Sequence, residues 1–402
     1  MIYLDSAATT PVRREVLEAM WPYLTGVFGN ASSHHEVGSA ARDALESARA
    51  SVAAVLGCRP SEIVFTSGGT EADNLAVKGL MLPFVEPSFS DAGRPHLAFS
   101  AIEHPAVLES AVYLERWHGV ELSSVPVDAS GFVLPADLET YLSSKGDTGL
   151  VSIMYANNEV GTVQDIPALA AVAHEHGALF HTDAVQAAGW LPLDVSSLGV
   201  DALSVSGHKL GAPKGCGFLY VSRSAVLEPL MSGGGQERGL RSGTESVANA
   251  VGLATALSLA ESEREAAASR MTQLRDAFVA RVRELVPTVV LTGYDAALVS
   301  QGSAPFGGGR LPNNASFCFP GVNGESVLLE LERRGVVCSS GSACAAGSTD
   351  PSHVLLAMGI SEDDARTAVR FTLPSTIAAE ELERAATVLL ESIVHLANLY
   401  LK

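Results

Sequence analysis

Through the first two thirds of this 402-residue chain, short apolar runs of strand type alternate with longer stretches of helical period. Residues 63–66 lead into a helical pattern over 71–80, residues 96–100 into one over 105–117, and residues 150–155 into one over 167–176. That rhythm predicts an α/β fold, a mostly parallel sheet covered by helices on both faces. A long helical pattern over 247–285, rich in Ala, Leu, Glu and Arg, separates this region from a final portion of more mixed character. The boundary is placed near 260, giving a large domain over 15–260 and a smaller one over 261–402.

In an open sheet of this kind ligands sit beyond the C-terminal ends of the strands. Two such ends release polar side chains. Ala178-Leu179-Phe180 runs into His181-Thr182-Asp183-Ala184-Val185-Gln186, and Ala202-Leu203-Ser204-Val205 runs into Ser206-Gly207-His208-Lys209. A lysine delivered there can form a Schiff base with an aldehyde, and a carboxylate on a neighbouring strand can keep a pyridinium nitrogen protonated. The pair meets what pyridoxal 5'-phosphate requires to act as an electron sink. Taken singly, each has a plainer reading, a surface Lys after a strand and an Asp that caps a helix.

Thr66-Ser67-Gly68-Gly69-Thr70-Glu71 follows a strand and opens a helix. Gly69 and Thr70 can therefore offer N–H groups and a hydroxyl to a phosphate at the positive helix end. An ordinary N-cap by Thr70 is the alternative. His104, in Ile102-Glu103-His104-Pro105, follows another strand, as a helix cap or as a carrier of protons near neutral pH. Ser339-Ser340-Gly341-Ser342-Ala343-Cys344-Ala345-Ala346-Gly347-Ser348 surrounds one thiol with small residues. A buried structural cysteine is its bland reading, but a Ser/Gly-rich setting is a poor place to bury a side chain. A thiolate on such a loop can attack a substrate sulfur and take it as a persulfide.

These motifs, joined by Asn157-Asn158-Glu159, by Arg241-Ser242-Gly243-Thr244 and by Ala368-Val369-Arg370-Phe371, occur in the order and at the approximate spacings of one family. The chain resembles the cysteine desulfurases of the class V aminotransferases, within the fold type I pyridoxal phosphate enzymes. The resemblance runs from Tyr3-Leu4-Asp5 to about Leu373, and the Ser-Gly-Ser-Ala-Cys string resembles the long-loop class. It implies a small α+β C-terminal domain against which residues 1–14 pack. It also implies conversion of L-cysteine to L-alanine, with sulfur passed through Cys344 to an acceptor protein that serves iron–sulfur clusters or tRNA thiolation.

By the same resemblance Lys209 carries the cofactor, Asp183 pairs with its ring nitrogen, and Gln186 bonds its phenolic oxygen. His104 stacks on the ring, and Ser206 and His208 add phosphate donors. Thr244 reaches the phosphate of a neighbouring subunit, which implies a homodimer. Asn158 is an active-site residue, and Arg370 grips the substrate carboxylate as a bidentate pair. Two features depart from the pattern. Pro374 stands where a Gly is usual, and Cys338 adds a second thiol, either a small apolar filler or a resolving partner. The turn-rich stretch 301–309 looks like a surface loop without assigned chemistry.

Net charge is −19, from 45 acidic and 26 basic residues, so nucleic acid and anionic membranes are unfavoured partners. The N-terminus shows no basic and apolar leader. The longest uncharged apolar stretch, 246–260, falls short of the about 20 residues a bilayer crossing needs. Five cysteines without compact spacing argue for a reducing cytoplasm and against a disulfide framework. They also miss iron–sulfur and zinc spacings, although His174, His176 and His181 offer imaginable ligands, and no metal is expected. A selenocysteine lyase, another class V enzyme, or an idle platform for sulfur acceptors are the remaining alternatives.

Overall fold

The computed structural model describes residues 1–85, 95–145, 147–297, 309–341 and 350–400, with residues 399 and 400 described by backbone alone. Cys344 and residues 301–308 of the turn-rich stretch lie outside the described residues.

Among the described residues twelve strands form three sheets: β1 Ile2–Tyr3, β2 Ile63–Thr66, β3 His96–Ser100, β4 Glu121–Val125, β5 Thr148–Ser152, β6 Leu179–Asp183, β7 Ala202–Ser206, β8 Gly217–Val221, β9 Val290–Leu291, β10 Asn314–Cys318, β11 Val336–Val337 and β12 Ala368–Thr372. The largest sheet has the order β2-β8-β7-β6-β5-β3-β4. Within it β8 runs antiparallel to β2 and β7, and every other pair is parallel. The C-terminal ends of β2, β3, β5, β6 and β7 therefore share one edge, and the motifs singled out above fall there.

Sequence and structure differ in one strand. The apolar run at 150–155 predicts a strand to Tyr155, whereas β5 ends at Ser152. Beyond it, Tyr155 N–H bonds to the Asp183 carbonyl and the chain turns through Asn157, whose side chain accepts from the N–H groups of Glu159 and Val160 at 2.9 Å. Hydrophobicity continues there because Ile153, Met154 and Tyr155 are still buried.

Helices cover both faces of this sheet, each with its own apolar cluster. One cluster gathers Val52, Leu56, Val151, Phe180, Leu203 and Phe218, the other Leu75, Leu80, Leu97, Val107, Leu150 and Leu219. The predicted long helix is Val247–Leu285, and it runs unbroken past residue 260. Its second half packs on the antiparallel sheet β12-β10-β9, where Phe278, Phe317 and Phe371 meet at ring-centroid separations of 5.3 to 6.3 Å. Strand β1 pairs in parallel with β11, so the N-terminus returns to this C-terminal layer. The buried Arg310 ties the two layers together, donating to the carbonyls of Val160 at 2.8 Å and Tyr294 at 2.7 Å.

Candidate active site

A cleft of about 530 Å³ opens where the shared strand edge faces β12. Gly69, Thr70, His104, Asn158, Asp183, Gln186, Ser206, His208, Lys209 and Arg370 all line it. Of the described residues expected at the site, only Thr244 is not among its lining. Thr244 is exposed in a neighbouring hollow with Thr66 and Ser67, and Cys344 lies outside the described residues.

Alternation along a strand explains the floor. In β6, His181 and Asp183 share one face, while Phe180 points into the core on the other. Asp183 is 5 % exposed, and its Oδ1 accepts the Val185 N–H at 2.8 Å. Burial pushes this carboxyl above its ordinary range, opposed by His104, the Val185 N–H and Lys209. Asp73 also lines the cleft, and the fully buried Glu103 feels the charge of Asp183. Burial pushes Asp73 well above the usual carboxylate range, and Asp183 adds to the effect. Glu103 is driven to about 8 by burial, although it accepts hydrogen bonds from Ser100 Oγ and Met154 N–H, each at 2.7 Å. His181 is pressed down to about 3 by burial and stays neutral, with Ser152 Oγ at 2.9 Å and Ser204 Oγ at 3.0 Å on its two ring nitrogens.

Lys209 follows β7 in a single turn of 3-10 helix, Gly207–Lys209. Only glycine fits at 207, since a Cβ there would stand 2.6 Å from Cys216 Sγ. The Lys209 ammonium donates to the carbonyls of Ala7 and Ala8, the second at 2.8 Å, and Gln186 Nε2 donates to Ala7 O at 3.1 Å. The N-terminal segment thus forms part of the lysine's seat. His208 is held down to about 4 by burial, with Lys209 and Lys214 adding to it, and one ring nitrogen lies 3.2 Å from Thr9 Oγ1.

Across the cleft the helix Gly69–Val85 begins at the lining itself, with its free N–H groups turned toward the space. Thr70 is inside that helix, so the alternative of a Thr70 N-cap does not hold. A Cβ at Gly69 would meet Val185 Cγ2 at 2.8 Å, so glycine is what lets this turn approach the segment just past β6. His104 caps the helix Pro105–His118, its Nδ1 accepting the Ala106 N–H at 3.1 Å, and it also lines the cleft.

Arg370 sits in β12, 2 % exposed. Its Nη2 donates to Asp5 Oδ1 at 2.9 Å and its Nη1 to the Asn158 carbonyl at 3.0 Å, while Nε is buried with no partner. Cys338 follows β11 close by. Burial raises its thiol far above the ordinary range, Asp5 adds to this and Arg370 opposes it, so the group is a thiol at neutral pH.

The imagined histidine ligands have other partners. His174 lies 2.9 Å from Asp201 and His176 lies 3.0 Å from Glu139. Among the described residues no group of three His, Cys, Asp or Glu could hold a metal, and no helix is long and apolar enough to cross a membrane. Sequence reasoning passed over Asp5, Asp73, Glu103 and Glu159. For Asp73 the signal was present: it is four residues after Gly69, hence on the same helix face.

The residues present fit pyridoxal phosphate. A cationic ring nitrogen beside Asp183 would offset the desolvation that pushes this carboxyl up, and the helix start with its close-fitting glycine would suit an anion. Adjacent strands carrying a lysine and a buried carboxylate, opposite that cradle, place the protein among the fold type I enzymes that depend on this cofactor. More narrowly, the chain belongs to the aminotransferase class-V family, which matches residues 2–385. It is 44% identical to "Cysteine desulfurase IscS" of Dictyoglomus turgidum over 96% of this chain and 93% of that one. It is 43% identical to "IscS-like cysteine desulfurase" of Mycobacterium tuberculosis, covering 97% and 95%. Among solved structures, a "NIFS-LIKE PROTEIN" superposes with a TM-score of 0.87 and 36% identity, covering 98% of this chain and all of the other.

Proposed function

We propose that this protein takes sulfur from L-cysteine onto Cys344 and releases L-alanine. The observation that carries the reading is the convergence, in one cleft, of Lys209, Asp183 and Arg370. An amino acid held by its carboxylate at Arg370 presents its amine and sulfur toward the lysine. Pyridoxal phosphate, when bound, supplies an electron sink for charge developing at the substrate carbon.

The chain's own residues do the rest. With the cofactor bound, Asp183 as a carboxylate would hold the ring-nitrogen proton, Gln186 would bond the phenolic oxygen, and Gly69, Thr70, Ser206 and His208 would hold the phosphate. Lys209 would hold the group until substrate replaces it there and then move protons at the substrate, with His104 as a second proton carrier. Asn158 positions the substrate with Arg370, as its carbonyl already fixes the guanidinium. The Cys344 thiolate attacks the substrate sulfur: an S–S bond forms, the C–S bond breaks, and the carbon gains a proton. Cysteine plus enzyme thiol thus gives alanine plus enzyme persulfide, with atoms balanced. Thr244, exposed beside the site, serves the phosphate of a second copy, which makes the working unit a homodimer. The persulfide passes to a sulfur-acceptor protein in the cytoplasm.

Borohydride reduction and peptide mapping should place the pyridoxyl group on Lys209. Incubation with cysteine should add sulfur to the Cys344 peptide. Cys344→Ser should bind cysteine yet make almost no alanine, and Cys338→Ser should stay active, as its raised thiol pKa makes it a poor nucleophile. Activity lost at Cys338 and kept at Cys344 would refute the assignment.

A further inference from the structure

Glu71 lines the cleft in the first turn of the helix Gly69–Val85 and has no part in the roles assigned above. A carboxylate there conflicts with an anion site, because it competes with the ligand for the positive helix end and repels it. Its contacts resolve the conflict. Oε2 accepts the Ser67 N–H at 2.7 Å, which holds the turn that leads into the helix. The Arg241 guanidinium meets the same carboxylate as a fork, Nε donating to Oε1 at 2.7 Å and Nη2 to Oε2 at 3.2 Å. Burial works to raise the Glu71 carboxyl, but Arg241 and Ser67 outweigh it and hold the group below its ordinary range, so it is charged at neutral pH.

Arg241 is carried by a strap latched to the outer strand β2, the strand that feeds the same turn. At Glu237 and Arg238 the strap's backbone is left-handed, with φ of 46° and 59°, a form that residues other than glycine hold only where their surroundings impose it. Those surroundings are specific. Glu237 is 5 % exposed, its Oε2 accepts the Phe65 N–H at 3.0 Å, and Arg49 donates to both of its oxygens, at 2.7 and 2.9 Å. Arg49 and Arg238 also donate to the Ile63 carbonyl, at 2.9 and 2.5 Å. Further along, the Gly243 N–H donates to Gln236 Oε1 at 2.9 Å and the Ser242 N–H to the Met231 carbonyl at 3.0 Å, closing the strap on itself. One latch on β2 thus fixes Arg241 relative to the turn that β2 delivers.

We infer that Glu71 and Arg241 form a charge-compensated positioning pair for the cofactor's phosphate: Glu71 holds the receiving turn by the Ser67 N–H, and Arg241 cancels the charge with which Glu71 would otherwise repel the phosphate. The inference rests on the phosphate lying at the Gly69–Thr70 turn. A plain helix cap needs Ser67 and Glu71 alone and gives Arg241 no task. An ion pair that serves only stability is indifferent to whether the ligand carries a phosphate.

The test compares pyridoxal 5'-phosphate with pyridoxal, which lacks the phosphate, in equilibrium dialysis against the cofactor-free full chain. Arg241→Gln leaves Glu71 uncompensated and should weaken binding of the phosphate form about tenfold or more, with pyridoxal changed by less than about twofold. Arg241→Lys keeps the charge and should recover most of the loss. Glu71→Gln keeps an oxygen for Ser67 and leaves Arg241 free to face the phosphate, so the phosphate form should bind about threefold tighter. The double variant Glu71→Gln/Arg241→Gln should return to within about threefold of the parent, since no charge remains there to repel the ligand. A double variant as weak as Arg241→Gln, equal losses for both ligands, or parental affinity in Arg241→Gln would each overturn the inference. If Arg241→Gln does not fold, Glu71→Gln decides alone: tighter binding of the phosphate form supports the pair, and unchanged or weaker binding overturns it. Gly69→Ala tests the underlying assignment. If it keeps the parental preference for the phosphate form, the phosphate lies elsewhere and the pair falls with it; preference lost in Gly69→Ala but kept in Arg241→Gln refutes the pair alone.

Discussion

Replacing Asp183 by Asn separates the electrostatic contribution of this site from its architecture. An amide oxygen can still accept the Val185 N–H that Asp183 Oδ1 accepts at 2.8 Å, so the strand end keeps its local bond. What disappears is the charge. A cation about 4 Å from a carboxylate is stabilised by about 4 kcal/mol at an effective dielectric near 20. That equals about three pKa units of the ring nitrogen, and a fall in turnover of about a thousandfold.

The cofactor-free protein should respond in the opposite sense. Burial raises the folded pKa of Asp183 above its unfolded value. Its contribution to stability is then complete below the unfolded value, about 3.9, and is lost as pH rises through the folded one. Asn escapes that loss. The cofactor-free variant should therefore melt no lower than the parent near pH 5 and higher near pH 8, as followed by circular dichroism. Turnover within about tenfold of the parent, or a cofactor-free variant less stable than the parent at the higher pH, would refute the argument.

Arg370→Lys replaces a fork by a point charge, leaving the contacts to Asp5 and the Asn158 carbonyl incompletely satisfied. Loss of a charged hydrogen bond, about 1.5–3 kcal/mol, should raise the KM for cysteine about 10- to 100-fold, measured by alanine formation. Gly69→Ala sets a Cβ 2.8 Å from Val185 Cγ2, and overpacking of about 1–3 kcal/mol at the phosphate turn should weaken pyridoxal phosphate binding about tenfold or more in equilibrium dialysis. Glu103, raised from 4.5 to about 8 by burial, should make the cofactor-free parent lose stability across that pH window. Melting curves of Glu103→Gln should be flatter over the same range.

The legible part of this site is the part delivered by single strand ends. Asp183, Lys209 and His104 each come a few residues after a short apolar run, so period and position along the chain point to them without a fold in hand. The illegible part arises where segments far apart in sequence approach one carboxylate or one cation. Nothing at positions 7 and 8 announces that their carbonyls will seat Lys209, some two hundred residues on. Nor does Glu159 advertise a hydrogen bond to Ser352 across 193 positions, or Asp5 an ion pair with Arg370 across 365. The strand at 150–155 was overrun for a related reason: burial after Ser152 comes from packing around the Asn157 turn and not from sheet pairing, and hydropathy cannot tell the two apart. Chemistry that a cofactor demands is thus written locally, because each group must reach a fixed atom from the nearest strand end. Chemistry that positions those groups relies on long-range contacts, and for that reason the turn whose Asn158 carbonyl accepts from Arg370 and whose Glu159 carboxylate accepts from Ser352 becomes visible as a junction only in the folded chain.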